Sequence, residues 1–204
     1  QNRPYDQFIR QQLAGDELEP KNQQAQIATG FLRHWIYEFN QRDAKSQWDI
    51  ILNDITDVTG DAFLGLGMSC ARCHDHKFDP ILQNDYFRLR AFFAPLLPLD
   101  EQLAGTPTER AAYQAKLQKW QQATTDVRKQ IDTMQAKHIA NLTTAQIEMF
   151  PLDVRPSLYK QSNKRTPYEK QLAYLAFRQV QKKINDVDWL KHFKETDLEK
   201  WEQL

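Results

Sequence analysis

Cys70 and Cys73 are the only cysteines of the chain, two residues separate them, and His74 follows directly. The run Cys70-Ala71-Arg72-Cys73-His74 has the C-x-x-C-H spacing of covalent c-type haem attachment. Thiols so placed add to the two vinyl groups along one edge of a porphyrin, and the adjoining histidine sits beneath the iron as its proximal ligand. Other chemistries compete for the same residues. A thioredoxin-like redox pair needs its C-x-x-C within a βαβ pattern, and the flanks lack the Val and Ile runs of a buried parallel strand. Zinc competes more strongly, since Cys70, Cys73 and His74 or His76 supply three ligands. A closed structural site takes four, usually as two separated pairs, and no second Cys/His pair exists. Core thiols would leave both the spacing and the histidine without a reason.

The chain of 204 residues, 41% of them hydrophobic, is long enough for one good core or two modest ones. Its 27 basic and 27 acidic side chains cancel, and no long basic stripe marks a nucleic-acid partner. No apolar run approaches the ~20 residues of a membrane span. The sequence opens at Gln1 in mid-pattern, without an initiating Met or a signal peptide, and reads as a piece of a larger chain. Haem attachment through this motif follows export, so the expected location is periplasmic or otherwise extracytoplasmic.

The elements that must position the motif are helical nearly throughout. Tyr5, Phe8, Ile9 and Leu13 recur at helical spacing up to Gly15, and Ile27, Phe31, Trp35 and Phe39 predict a second helix. Trp48, Ile51, Leu52, Ile55, Val58, Ala62 and Phe63 form the clearest stripe. It leads to Gly65-Leu66-Gly67, which either breaks the helix or lets the backbone approach a flat macrocycle. Lys77-Phe78-Asp79-Pro80 reads as a loop, and Asp85 as the cap of a helix carrying Phe87, Leu89, Phe92 and Phe93 that ends at Pro95 and Pro98.

Beyond a boundary at Pro95–Pro107 the pattern lengthens. Tyr113, Leu117, Trp120, Thr124, Val127, Ile131, Met134 and His138 alternate steps of four and three, a coiled-coil seam. Pro151, Pro156 and Ser162-Asn163-Lys164-Arg165 form a turn region. A second helix follows, with Leu172, Leu175, Phe177, Val180 and Ile184 on its apolar face. The expected architecture is mostly α: an irregular helical haem c domain (residues 1–100), a long antiparallel, coiled-coil-like helical hairpin (108–185), and a helical tail (186–204) leading toward a further domain. The hairpin is a candidate surface for oligomer or complex formation.

The motif also lies in a longer familiar run. Ala62 through Ile81, with Leu64-Gly65-Leu66-Gly67 before the cysteines and Asp75-His76-Lys77-Phe78-Asp79-Pro80 after His74, closely resembles the second planctomycete-type cytochrome c domain family. Arg3-Pro4-Tyr5-Asp6-Gln7-Phe8, Gln12-Leu13-Ala14-Gly15-Asp16 and Ile27-Ala28-Thr29-Gly30-Phe31 resemble its upstream landmarks. Asp85-Tyr86-Phe87, Ala91-Phe92-Phe93 and Arg165-Thr166-Pro167 resemble its downstream ones. The resemblance implies haem binding in large secreted proteins and names no reaction. It further implies a longer upstream part, with a helix bearing an Arg-His-Trp-like segment, and a domain after the hairpin.

On this reading Cys70 and Cys73 carry the thioethers and His74 the iron of one covalent haem c. The sixth iron position decides function, because a second His or Met makes a low-spin electron carrier and an open face permits catalysis. The in-chain candidates are His34, His76, Met68, Met134, Met149, His138 and His192, and His34 is the best placed, beside Phe31 and Trp35. Arg72, His76, Lys77 and Arg88 are candidate partners for the haem propionates. Asp75 or Asp79 is a candidate acceptor for the proximal imidazole N–H.

Three functions fit. The first is an electron-transfer module serving a redox partner protein or attached domain. The second is a haem enzyme, peroxidase-like or a sugar-directed oxidoreductase, with His76 as acid–base group. The third is a structural module with zinc or a disulfide at the motif.

Overall fold

The computed structural model describes residues 2–100, 105–193 and 195–202. The chain is 71% helical, with nine helices and no strand among the described residues, and so is mostly α. Residues 101–104 of the expected boundary, and 194 and 203–204 of the expected tail, lie outside the described residues.

Helix α1 (Tyr5–Leu18) runs past its expected stop at Gly15 by bending at Ala14 (φ −153°, ψ 30°). The bend brings Gly15 against α2 (Gln23–Ala28), where a Cβ would stand 2.3 Å from the Ala25 carbonyl oxygen. α2 passes into a 3-10 turn over Thr29–Arg33, and no helix continues through residues 34–43. The predicted second helix over Ile27, Phe31, Trp35 and Phe39 is therefore corrected: only its first part is helical. The irregular stretch takes its hydrogen bonds from distant side chains. Gln47 Nε2 donates to the Glu38 carbonyl (3.2 Å) and Gln179 Nε2 to the Gln41 carbonyl (2.8 Å). Spacing along the chain cannot announce such partners.

α3 (Ala44–Thr59) starts where Asp43 accepts the Ser46 N–H (3.1 Å), and it buries Trp48, Ile51, Leu52 and Ile55 as its stripe predicts. Val58 and Ala62 stay exposed. After Thr59 the helix widens into a π turn, Gly60–Leu64, which Gly65 ends at φ +65°, the left-handed value that favours glycine. α4 (Gln83–Phe93) begins two residues before Asp85. Asp85 sits inside its first turn and accepts the Leu82 N–H at 3.1 Å.

The expected long helix is two helices, α5 (Pro107–Ala123) and α6 (Thr125–Ile147), bent at Thr124 (φ −108°, ψ 11°). Arg128 spans the bend, donating to Thr124 Oγ1 (3.1 Å) and to the Gln121 carbonyl (2.8 Å) with its guanidinium over Trp120. α5 buries no residue and α6 only Ile147, so the seam from Tyr113 to His138 is at most half-buried. The short α7 (Arg155–Tyr159) interrupts the turn region, and α8 (Pro167–Asn185) opens with a Thr166–Glu169 capping box. Gln146 and Gln179 both reach residues 41–42, whereas His138 meets His192 at 6.1 Å between ring centroids. The end of α6 and α8 therefore run antiparallel. α9 (Glu195–Glu202) completes the chain.

One core joins both sides of the Pro95–Pro107 stretch: Trp48, Ile51, Leu52 and Phe93 pack with Ile147, Phe150, Val154, Leu172, Leu175 and Val180. Two buried glutamines of α8 tie irregular backbone to it. Gln171 Nε2 donates to the Ala94 and Leu96 carbonyls (2.6 and 2.7 Å), using both amide hydrogens, and Gln179 holds Gln41 as above. Tyr37, whose hydroxyl donates to the Leu175 carbonyl, has its pKa pushed up to about 12, chiefly by burial.

Candidate functional site

Cys70 lies on a 3-10 turn, Met68–Arg72, and Cys73 is its C-terminal cap, its N–H bonded to the Cys70 carbonyl at 3.4 Å. Residues three apart in such a turn lie one above the other, at a rise of about 2 Å per residue. Met68 and Ala71 thus share the inner face, buried with Ile81 and Tyr86 in a second small cluster. Cys70 and Cys73 share the opposite pairing and are both free and exposed. The C-x-x-C spacing and the inward Met-x-x-Ala spacing are one geometric fact seen from two sides. Met68 packs against Gly60, where a Cβ would approach its Cγ to 2.8 Å. At 5% exposure its side chain belongs to this buried cluster.

His74 is exposed, and its Nδ1 lies 2.7 Å from the backbone carbonyl of Asp75. A carbonyl only accepts, so Nδ1 carries the proton and Nε2 presents a free lone pair. The expected carboxylate acceptor is thereby replaced by backbone. The Asp75 carboxylate instead accepts the Gln83 N–H (2.8 Å) at the start of α4, while Gln83 Nε2 donates to the Arg72 carbonyl (3.2 Å). These bonds clamp the motif to α4.

His76 closes the following loop. Its Nδ1 accepts the Phe78 and Asp79 N–H groups (3.3 and 2.9 Å), and the His76 backbone N–H donates to the Ile81 carbonyl (2.8 Å). With its side chain 12% exposed, this ring is a staple of the loop Asp75-His76-Lys77-Phe78-Asp79-Pro80. Lys77 lies over the Phe78 ring (5.2 Å), and Arg88 pairs with Asp85 (3.0 Å) on the exposed side of α4. Arg72 points the other way, its Nη1 3.7 Å from Asp57 Oδ2 on α3.

Sequence reasoning did not single out Asp57. Its carboxyl is pushed above the usual range, first by burial, with Tyr86 and Arg72 opposing, and its Oδ1 has no hydrogen-bond partner. Tyr86 is fully buried, and burial together with Asp57 raises its hydroxyl's pKa. Asp57 stands on the polar flank of a helix read for its apolar stripe, so pattern alone hides it.

His34 is the exposed C-terminal cap of the 3-10 turn Thr29–Arg33. With Phe31, Trp35, Asp54, Ile55 and Val58 it lines a cavity of about 30 Å³ on α3. His34 and Arg72 thus flank the same turn of α3, at Asp54 and Asp57 respectively. The Phe31 and Phe63 rings, 5.0 Å apart, join the His34 turn to the π turn that leads into the motif. The other candidate ligands lie elsewhere: His138 and His192 face each other, and the Met149 sulfur is 3.9 Å from Arg42.

Residues 1–97 match the family model PSCyt2, described as a protein of unknown function (DUF1549), a planctomycete cytochrome-like family name. The match spans α1 to α4 and the whole Cys70–His74 region, and stops short of α5. Neither the curated proteins nor the solved structures contain a match to the chain. What the chain is similar to, over slightly less than half its length, is thus a family named for a cytochrome-like domain.

Proposed function

We propose that this chain carries one haem c, attached through Cys70 and Cys73 with His74 as proximal iron ligand, and acts as an electron-transfer module of an extracytoplasmic protein or complex. The observation that carries the reading is the 3-10 turn, with both thiols exposed beside an imidazole whose Nδ1 is engaged and whose Nε2 is free. That donor set fits the group. Thiols take up the vinyl carbons, and an imidazole whose N–H is held by an acceptor is a more basic, correctly oriented ligand. When bound, the haem supplies a one-electron couple.

The chain's own residues supply the frame. Asp75 and Gln83 lock the motif to α4, and the His76 bonds hold the loop that follows. A Cβ at Gly65 or Gly67 meets nothing within 4 Å, so the backbone before the motif borders open space in which a flat group can approach. Arg72 is engaged by Asp57 instead of a propionate, so Lys77 is the cation we propose for a propionate, and His34 is the distal ligand we propose from within the chain. Zinc gains no geometric support, since no group of three or more His, Cys, Asp or Glu among the described residues is placed to hold a metal ion.

The test is expression of the exported chain with a c-type maturation system, followed by haem staining after denaturing electrophoresis and a reduced spectrum with and without carbon monoxide. Haem that survives denaturation, with sharp low-spin bands unmoved by the gas, is the expected result. Colourless protein alongside a loaded control cytochrome overturns attachment. A shift with carbon monoxide means an open sixth position, and turns the function toward ligand binding or catalysis.

A further inference from the structure

A separate cleft of about 410 Å³ lies between α1, the Thr29–Arg33 turn and the segment Leu96–Leu99. Its volume is that of a small-molecule site. Its walls are apolar, with Leu13, Ile27, Leu32, Trp35 and Leu96 foremost, and they are held without any ligand. Gln171 clamps the Ala94 and Leu96 carbonyls, and Asp100 is fastened by Arg33, Arg178 and Tyr174.

Among the charged residues that line this cleft the two carboxylates outnumber the one cation. Thr29 donates its hydroxyl hydrogen to the Gln26 carbonyl, and Gln26 donates its amide to the Pro20 carbonyl. Arg33, the one cation of the lining, is paired with Asp100 and lies 4.8 Å over the Trp35 ring. Asp16 and Glu17 also line the cleft, and neither forms an ion pair among the described residues. Both stand in the last turn of α1. α1 has no basic residue in its last turn, so its C-terminus adds a negative end beside these two carboxylates.

We propose that this cleft binds a small organic cation, an ammonium on an apolar body, with the body among the leucines and Trp35 and the charge at Asp16 and Glu17. A negatively charged apolar site selects ligands that bring donors and positive charge, and rejects carboxylates. The proposal does not depend on what the cysteines hold.

Calorimetric titration of the whole chain with 2-phenylethylamine, 2-phenylethanol and phenylacetate tests it. The expected result is saturable binding of the amine, at least about tenfold tighter than the alcohol, a preference of about 1.4 kcal/mol, with no binding of the carboxylate. A Cβ at Gly30, on the cleft wall, meets nothing within 4 Å, so Gly30→Leu should keep the helical circular dichroism and weaken the amine. The double variant Asp16→Asn/Glu17→Gln should bring amine and alcohol to equal affinity. Absence of saturable amine binding, or equal affinities of amine and alcohol in the unaltered chain, overturns the proposal, as does a double variant that retains the full preference.

Discussion

At the scale of single residues, His74 and Asp57 divide the work beneath the motif. His74 has its tautomer set by one carbonyl, so its Nε2 keeps a free lone pair for the proposed iron. After maturation, His74→Ala should retain denaturation-resistant haem through the two thiols but lose the low-spin spectrum. An unchanged spectrum would remove the proximal assignment. Asp57 carries the opposite kind of cost. Burial raises its carboxyl pKa, so the folded chain keeps that proton to higher pH than the unfolded chain does. Its contribution to stability is thus most favourable below the ordinary carboxylate pKa and is lost as pH rises through the elevated folded value. Asp57→Asn should therefore flatten the fall in Tm as pH rises above about 4, and thermal melts through the acid range would show it. A variant whose melts keep the original slope would mean that other groups set the dependence.

Among the elements, glycine positions separate those that packing demands from those that conformation demands. Gly15 is a packing case: the Ala25 carbonyl occupies the place of a Cβ. Gly15→Ala should cost about 3 kcal/mol, the upper end of overpacking penalties, and denaturant titration would read it as a lower midpoint with the same slope. Gly65 is a conformational case, since nothing crowds it but its φ is +65°. Gly65→Ala should cost about 1–2 kcal/mol and leave the packing of α3 intact. Helix α5 presents a third situation. Seventeen residues with none buried have only propensity and the Thr106–Glu109 capping box to hold them. Its amides should exchange with solvent orders of magnitude faster than those of α3 and α8. Equal protection would mean that the Tyr113–Trp120 face is covered in solution.

For the molecule as a whole, the consequential feature is that the motif's scaffold and the later helices share one core. Phe150, 1% exposed, packs in the same cluster as Trp48 of α3 and Leu172 of α8. Phe150→Ala should cost about 3–5 kcal/mol. If the core is one cooperative unit, the Cys70–Cys73 region and α8 lose protection together in that variant, as residue-resolved hydrogen exchange would reveal. Separate transitions would divide the chain near Pro95.

Short-range physics is what the sequence by itself determined. The thiol spacing, the adjoining imidazole, the α3 stripe and the glycine stop before the motif all depend on neighbours within a turn or two. Such terms are legible in one dimension. The apolar step of four through Ile27, Phe31, Trp35 and Phe39 misled because periodicity records where a helix would bury its face, without recording competing bonds. Here those bonds come from Gln179, 138 residues beyond Gln41. The same holds for the candidate site. Its two thiols and imidazole were visible, whereas the inward Met68, the backbone partner of His74, the half-buried Asp57 and the flank shared by His34 and Arg72 were decided by tertiary structure. Only there do segments far apart in the chain meet, exclude water and fix which polar atom is satisfied and which is left free.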